Sequence, residues 1–405
     1  GCTGCGHDAG LSESHLAATR HHSLSTMAEA LSFSLVAGEA SGDLLAGLLL
    51  GGMRGKWPDM RSAGIGGPRM AAQGFEPWWP YEKLAVRGYV EVLRHYREIV
   101  GIRNQLKAQL LAKPPEVFVG VDAPDFNLDL ERDLKQAGIP TVHFVCPSIW
   151  AWRAERIEKI KQSVDHVLCI FPFETQLLHQ HGIAATYVGH PLAQAIPMHV
   201  DMLKARHELN LDPERPVVAL LPGSRESEIT YLAERFFQTA LLLGQQQPQL
   251  QFVLPAMPSM MARIEHLRDQ VGASNVQILK GQSHAALAAC DVTLIASGTA
   301  TLEAALFKKP MVIAYNMNWL SWQMMKRKKL QPWVGLPNIL AQEFCVPELL
   351  QDQATPINMS NAVLDWLRSP EKAQALASRF ETLHASLLRD TPTLAAHAIQ
   401  TLVKA

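Results

Sequence analysis

The chain has 405 residues, of which 48% are hydrophobic and 19% charged, and its formal net charge is −1. This length predicts two domains, and the near-neutral charge excludes a general electrostatic attraction for nucleic acid. The six cysteines are scattered along the chain, which is typical of reduced intracellular thiols. No uninterrupted apolar run reaches the roughly 18 residues of a membrane span, so we expect no transmembrane segment. Residues 1–26, rich in Gly, Ser and His, are expected to be a non-native or disordered extension before a start at Met27.

Short apolar runs alternate with helical stretches from Ser32 onward. The strands predicted in the first half are residues 34–36, 62–65, 117–121, 141–145, 167–170 and 186–188, with helices over 44–55 and 125–136. A Gly-His-Pro sequence at 189–191 interrupts this order, and predicted strands resume at 217–221, 251–254, 276–279, 292–296 and 311–315. Beyond Pro356 the chain is predicted to be helical. Continuous apolar strands between helices indicate parallel sheets covered on both faces.

The predicted fold class is therefore α/β, with two Rossmann-like, doubly wound domains facing each other across a cleft. We expect an N-terminal domain over residues 27–195 and a C-terminal domain over 196–370. Helices over 371–405 are expected to pack back towards the N-terminal domain. Because ligands of such sheets bind at the carboxyl ends of the strands, the turns that follow the predicted strands are the candidate sites.

Two glycine-containing turns of the second half have the character of a phosphate site. One is Pro-Gly-Ser-Arg at 222–225, and the other is Ser-Gly-Thr-Ala at 297–300, with an acid at 303. Backbone N–H groups and a helix N-terminus bind phosphate, an arginine adds charge, and a carboxylate one turn into the helix accepts hydrogen bonds from ribose hydroxyls. The predicted sugar-nucleotide-binding residues are Gly223, Ser224, Arg225, Ser297, Gly298, Thr299, Ala300 and Glu303. The alternatives are a surface arginine and an acid that favours the helix dipole.

The first half contains a candidate general base. Asp122 follows the apolar strand 117–121, where a carboxylate faces the cleft and is placed to take a proton from an attacking hydroxyl. The alternative is an N-cap role at the start of the helix that Pro124 begins, with either Asp122 or Ala123 as the N-cap residue. Asp125 is the weaker catalytic candidate, because it is equally suited to capping or orientation.

Further residues are expected to line the acceptor side of the cleft. Glu39, Ser41 and Asp43 belong to the turn at 38–43, which follows the first predicted strand. No Gly-x-Ser-x-Gly sequence surrounds Ser41, so we do not expect a nucleophile there. His190, in the Gly-His-Pro sequence, is expected either to contact the ligand at the hinge or to pack between the domains.

Two stretches, 86–100 and 319–329, mix apolar, aromatic and basic residues as segments at a membrane interface do. The predicted membrane contacts are Val90, Val92, Leu93, Tyr96, Trp319, Trp322 and Lys326. A solvated helix face is the alternative explanation for the lysines.

Taken in order, several motifs resemble those of the lipid-A-disaccharide synthase family. They are the segments 36–43 (Val-Ala-Gly-Glu-Ala-Ser-Gly-Asp), 66–70, 90–93, 120–127, 147–153, 220–225, 297–303 and 336–341 (Leu-Pro-Asn-Ile-Leu-Ala). The resemblance implies the GT-B architecture and an inverting transfer that needs neither metal nor cofactor. It also places a catalytic aspartate on Asp122, a phosphate-binding arginine on Arg225 and a cleft asparagine on Asn338.

The same resemblance implies two lipid substrates, UDP-2,3-diacylglucosamine and 2,3-diacylglucosamine 1-phosphate. Their reaction gives a β(1→6)-linked disaccharide and UDP, with the C-terminal domain binding the UDP-sugar and the N-terminal domain the acceptor. It further implies a cytoplasmic protein peripherally associated with the lipid surface of the inner membrane, and leaves open whether the protein is a homodimer.

Other functional classes share part of this pattern. A different UDP-N-acetylglucosamine-dependent GT-B enzyme, such as a wall glucosaminyltransferase or an epimerase, would share the second-domain site but not the Asp122 segment. A dinucleotide-dependent oxidoreductase is disfavoured because the turn at 38–43 lacks the Gly-x-Gly-x-x-Gly spacing. A non-catalytic membrane scaffold leaves the phosphate-binding turns unexplained.

Overall fold

The computed structural model describes residues 30–84, 89–149, 156–317, 322–323, 327 and 331–403, and the side chains of these residues except those of 89–95. Contacts between residues join Leu31–Ala405 into one compact unit. The predicted extension, residues 1–26, lies outside the described residues, and so do Trp319 and Lys326.

Two parallel sheets form the framework of this unit. The strands, numbered in chain order, are β1 (Ser32–Ala37), β2 (Arg61–Gly66), β3 (Glu76–Pro80), β4 (Val117–Val121), β5 (Thr141–Phe144), β6 (His166–Cys169), β7 (Ala185–Tyr187), β8 (Val217–Leu221), β9 (Gln251–Ala256), β10 (Val276–Lys280), β11 (Val292–Ala296), β12 (Met311–Tyr315) and β13 (Glu348–Leu350). The first sheet has the order β3-β2-β1-β4-β5-β6-β7 and the second the order β10-β9-β8-β11-β12-β13. The predicted class, α/β with two doubly wound domains, is confirmed.

Helices connect the strands and cover the sheets. Numbered in chain order, they are α1 (Ala40–Lys56), α2 (Pro68–Ala71), α3 (Tyr89–Ala112), α4 (Pro124–Gln136), α5 (Arg156–Ser163), α6 (Pro172–Gln180), α7 (Pro191–Ala195), α8 (Met202–Glu208), α9 (Glu226–Gln246), α10 (Met261–Val271), α11 (Ser283–Ala289), α12 (Thr299–Leu306), α13 (Leu336–Ala341), α14 (Pro356–Leu367), α15 (Pro370–Leu387) and α16 (Thr391–Gln400). The helices predicted over 44–55 and 125–136 lie within α1 and α4, and the predicted helical end of the chain comprises α14 to α16.

The centre of each sheet is formed by strands that the sequence predicts. All five residues of β4, of β8 and of β11 are buried, because both faces of a parallel sheet are covered. The sequence does not predict β3 and β13, which are edge strands. Most of β3 is exposed and it contains Pro77 and Pro80, residues that an edge strand tolerates because no partner needs their missing N–H.

Each sheet contains one point at which the strand order reverses. In the first sheet this switch point lies between β1 and β4, and in the second between β8 and β11. A crevice opens outside the carboxyl ends of the strands at such a point, and ligands bind there. The turns predicted to carry function follow these same four strands, so the topology brings them together in pairs, one pair at each crevice.

The last two helices return to the N-terminal sheet. The Tyr187 hydroxyl, at the end of β7, donates to the Ser386 carbonyl over 2.6 Å, and Thr391 Oγ1 donates to the Val188 carbonyl over 2.7 Å. Helix α16 packs along α1, with Pro392 against Gly52. The exact domain boundaries at 195 and 370 stay a prediction, because the contacts group both sheets into one unit.

The close approach of α1 and α16 gives a stability prediction. A Cβ at Gly52 would collide with the Pro392 carbonyl, whereas a Cβ at Gly55, one turn further along α1, meets nothing within 4 Å. We expect Gly52→Ala to lower the free energy of unfolding by about 1–3 kcal/mol through overpacking. The control Gly55→Ala should raise it by up to about 1 kcal/mol through helix propensity. Urea unfolding measures both, and stabilisation by Gly52→Ala would contradict the observed packing.

Candidate functional site

The crevice at the β8/β11 switch point contains the predicted sugar-nucleotide residues. Gly298, the N-cap of α12, has φ +148°, and Gly223, after β8, has φ +118°. Both angles lie in the region that favours glycine. A Cβ at Gly298 would meet no atom within 4 Å, so the first turn of α12, with Thr299 and Ala300, faces open space. A helix N-terminus that is open in this way is suited to a phosphate group.

The turn at 223–225 is held by a carboxylate that the sequence analysis missed. The backbone N–H groups of Ser224 and Arg225 donate to Glu228 Oε2 over 2.9 and 3.1 Å. Glu228 therefore occupies N–H donors that the sequence analysis assigned to phosphate. The exposed side chain of Arg225, the N-cap residue of α9, is left as the charged donor of this turn.

The charges of Arg225 and Glu228 both act on Tyr315, the last residue of β12, which lies beyond β11 in the same sheet. Burial raises the pKa of the Tyr315 phenol there, the charge of Glu228 raises it further, and the charge of Arg225 opposes both effects. The guanidinium is thus near the carboxyl ends of the strands, on the side of the sheet where the α12 N-terminus begins.

Glu303 is paired with a histidine that the sequence analysis also missed. His284 Nε2, on α11, lies 2.9 Å from Glu303 Oε2, and the imidazole ring meets the edge of Phe307 with a centroid separation of 5.3 Å. The hydrogen bond to Glu303 raises the pKa of His284, against the opposing effect of burial. In the part of the chain that the structure describes, Glu303 Oε1 has no hydrogen-bond partner and remains free to accept from a ligand. No sequence pattern marks His284, because it belongs to a separate helix that begins 16 residues before α12.

Asp122 lies at the first-sheet crevice, directly after β4. Its N–H donates to the Phe144 carbonyl over 2.9 Å, and its carbonyl accepts a 2.8 Å hydrogen bond from Asn127 Nδ2. The N-cap of α4 is Ala123, with no capping bond from a side chain, so the N-cap alternative for Asp122 is wrong. Asp122 and Ala123 both have positive φ, +52° and +43°, which is strained for residues with a Cβ. The Asp122 carboxylate accepts no hydrogen bond from the described residues.

The turn after β1 borders the same crevice. A Cβ at Gly38 would lie 3.0 Å from the Ala123 Cβ, so the two turns are in close contact. Glu39 and Ser41 are exposed on this turn, as expected for residues that line a cleft. Asp125, in the first turn of α4, is 84% exposed and pairs with Arg156, so its charge is already partly compensated.

Two of the predicted lining residues, Asp43 and Asn338, are buried. The Asp43 carboxylate is 1% exposed and accepts hydrogen bonds from the backbone N–H groups of Gly67, Arg69 and Met70 over 2.8–3.1 Å. Asn338 is fully buried, and its amide bonds with the backbone of residues 345–346 and with Glu348. The hydrogen-bonding atoms of both side chains are thus occupied within the protein, and a place for these residues at the cleft stays a prediction.

The structure favours the packing alternative for His190. The residue is 8% exposed, its ring lies against Phe171 at a centroid separation of 5.3 Å, and its Nδ1 accepts from the Leu192 N–H. Its backbone N–H donates to the Leu387 carbonyl, which joins the 189–191 segment to α15. Burial lowers the pKa of His190 to about 4, so the ring is neutral at physiological pH.

The predicted membrane segments are described only in part. Tyr96 on α3 is 60% exposed and Trp322 is half-buried, whereas the side chains of Val90, Val92 and Leu93 lie outside the described residues. No helix within the described ranges is long and apolar enough to cross a membrane. Nor do three His, Cys, Asp or Glu side chains gather, among the described residues, as ligands of a metal ion would.

Comparison with known proteins shows what this architecture is similar to. The family model for lipid-A-disaccharide synthetase matches residues 33–399. The lipid-A-disaccharide synthase of Albidiferax ferrireducens is 63% identical over 380 residues, 92% of this chain and 98% of the relative. That of Verminephrobacter eiseniae is 59% identical over 379 residues, 92% and 97% of the two chains. Among solved structures, the glycosyltransferase of kitacinnamycin superposes with a TM-score of 0.60 at 16% identity, covering 93% of this chain and all of that one. This last likeness shows the fold alone.

Proposed function

Because the chain belongs to the lipid-A-disaccharide synthase family, we propose that it joins UDP-2,3-diacylglucosamine to 2,3-diacylglucosamine 1-phosphate, releasing UDP. Membership of this family establishes hexosyl transfer in lipid A synthesis. The identity of the two acylated sugar substrates is what we propose. The observation that carries it is the family match over residues 33–399, which spans both crevices. A wall glucosaminyltransferase or an epimerase is not favoured, because relatives 59–63% identical over 92% of the chain are lipid-A-disaccharide synthases.

In this proposal the second-domain crevice binds the UDP part of the donor. The N-terminus of α12 and the Arg225 guanidinium stabilise the negative charge that grows on the diphosphate as it leaves. The free oxygen of Glu303 accepts from ribose, while His284 fixes the orientation of the carboxylate through its 2.9 Å hydrogen bond. The positive charge needed at the leaving group thus comes from the protein itself.

Binding of UDP tests this assignment. Arg225→Ala removes a charge-assisted hydrogen bond and should weaken UDP binding by about 1.5–3 kcal/mol, and Glu303→Gln should also weaken it. The control is Arg215→Ala, which removes an arginine before β8, at the opposite end of the same strand. Calorimetry with UDP measures all three affinities, and turnover should persist in excess EDTA. Unchanged UDP affinity in both Arg225→Ala and Glu303→Gln would show that UDP binds at another site.

The first-domain crevice supplies the general base. We propose that Asp122 takes the proton from the 6-hydroxyl of the acceptor as that oxygen attacks the anomeric carbon of the donor, opposite UDP. The new carbon–oxygen bond forms as the bond to the diphosphate breaks, and the electron pair leaves with UDP. A single displacement inverts the centre, so an α-linked donor gives a β-linked product. A carboxylate with no hydrogen bond from the described residues, at the carboxyl end of β4, is suited to this proton transfer.

Turnover tests the reaction and its base together. The wild-type protein, given both acylated sugars, should produce UDP and the disaccharide 1-phosphate. Asp122→Asn keeps the shape but removes the basicity, so kcat should fall on the order of 10²–10⁴-fold while UDP affinity stays near wild type. Asp125→Asn, one helical turn away, is the control and should lower kcat by a smaller factor. Normal turnover by Asp122→Asn would place the base elsewhere, and no disaccharide from the wild type would refute the substrates.

The lipid nature of both substrates supports a membrane location, which we also propose. The stretches 86–100 and 319–329 would rest on the anionic surface of the inner membrane, on its cytoplasmic side, and deliver acylated sugars to the cleft. The exposed Tyr96 and the basic residues at 326–329 are the features that support this orientation. Dimer formation stays a prediction.

Liposome binding tests the proposed surface. Basic residues near anionic lipid contribute about 1 kcal/mol each, so Lys326→Glu/Lys328→Glu should weaken sedimentation with phosphatidylglycerol vesicles by roughly tenfold or more. Added salt should weaken binding of the wild type through screening. The matched control, Lys204→Glu/Lys280→Glu, reverses two exposed lysines outside these stretches. If both double variants lose vesicle binding equally, Lys326 and Lys328 belong to a solvated helix face and not to a membrane-binding surface.

A further inference from the structure

A buried polar cluster lies beneath Asp122. Asn127 and Glu131 on α4 and His143 on β5 are each 0% exposed. His143 Nδ1 is 2.8 Å from Glu131 Oε1 and 3.1 Å from Oε2, so the two side chains form a tight buried pair. Asn127 links this cluster to the candidate base, since its Nδ2 donates to the Asp122 carbonyl over 2.8 Å.

Strand β4 has a glycine where it passes the Glu131–His143 pair. Gly120 on β4 is in register with His143 on β5, two residues before Asp122. A Cβ at Gly120 would collide with Glu131 Oε1 and lie 2.9 Å from the Asn127 Cβ. The Glu131 carboxylate therefore occupies the space that a side chain at position 120 would take. This part of the sheet contains polar groups where apolar packing is usual.

Stability alone does not account for this arrangement. Replacing a buried ion pair by apolar residues is often neutral or stabilising. In addition, His143 Nε2 and Asn127 Oδ1 are buried without a hydrogen-bond partner among the described residues, and each such atom costs free energy. The same short region contains the strained residues Asp122 and Ala123. Unfavourable features gathered around one turn are typical of a functional site.

The cluster also acts on Asp122 through its charge. Burial opposes the charged form of His143, but the charge and hydrogen bond of Glu131 raise its pKa, and the charge of Asp122 contributes in the same direction. The two charges therefore attract each other when the His143 ring is protonated.

We propose that Asn127, Glu131 and His143 are positioning residues for Asp122, with Asn127 fixing its backbone and the Glu131–His143 pair fixing α4 against β5 so that the carboxylate faces the crevice. This proposal rests on the proposed function of Asp122 as the general base. None of the three residues touches the substrate; their effect passes through Asp122.

The first test separates positioning from a merely structural role. Glu131→Gln and His143→Gln should lower kcat about 10–100-fold, the cost of a misplaced catalytic group, with no change in UDP affinity. Glu131→Asp should restore part of the loss. The control is Thr141→Val, which removes the buried hydroxyl that donates to the Ser163 carbonyl, two residues before His143 on the same strand. It should lower stability without lowering kcat. A kcat loss in Thr141→Val equal to that of the other variants would overturn the proposal.

The second test uses the coupling to Asp122. In an Asp122→Asn background, His143→Gln should cause no further loss of kcat, because its effect passes through the missing carboxylate. A full additional loss would overturn the proposal. If the single variants do not fold, Glu131→Met/His143→Phe, which leaves no unpaired charge, is measured instead with the same expectation. Normal turnover by Asp122→Asn would refute the proposed base itself, whereas a slow Asp122→Asn beside an active Glu131→Gln would refute only the positioning role.

Discussion

The reversal of strand order in each parallel sheet is the constraint on which the rest of this structure depends. Strands β4 and β8 are buried on both faces and contain only apolar residues and one glycine. Chemistry is therefore confined to the turns at their carboxyl ends, and the β1/β4 and β8/β11 reversals bring two of these turns together in each domain. The two crevices then differ in character: one offers a helix N-terminus and an arginine, and the other a carboxylate.

Carboxylates bonded to backbone N–H groups determine which residues of these turns remain available. Asp43 holds the start of α2, and Glu228 holds the turn that contains Arg225. Both turns are stabilised at the expense of ligand-binding capacity, because the bonded N–H groups cannot also bind phosphate. Asp122 differs from them, since its backbone is fixed by Phe144 and Asn127 while its carboxylate is left without a hydrogen bond from the described residues. The buried Glu131–His143 pair lies below this turn. In the proposed arrangement it supports the Asp122 carboxylate on the surface of the turn.

The local sequence pattern was enough to predict the turns of the candidate site. It was not enough to predict which of their side chains are buried or hydrogen-bonded. The turns at 38–43, 222–225 and 297–300 could be recognised because glycine between a strand and a helix is a local signal. Burial of Asp43 and Asn338 could not be predicted, because it depends on N–H groups that are distant in sequence or belong to a different loop. Asp122 shows the same limit: Pro124 suggests an N-cap nearby, but only the backbone angles assign that position to Ala123.

The sequence by itself determined the two doubly wound halves, the central strands and the candidate base, because continuous apolar runs and turn residues act over a few neighbours. It could not determine the edge strands β3 and β13, which are short or exposed and so lack the apolar signal. Only the tertiary structure decided that His284 meets Glu303 and that His143 meets Glu131 beneath Asp122. Those pairs join residues 12 to 19 positions apart, and they form only once the sheets have packed their helices.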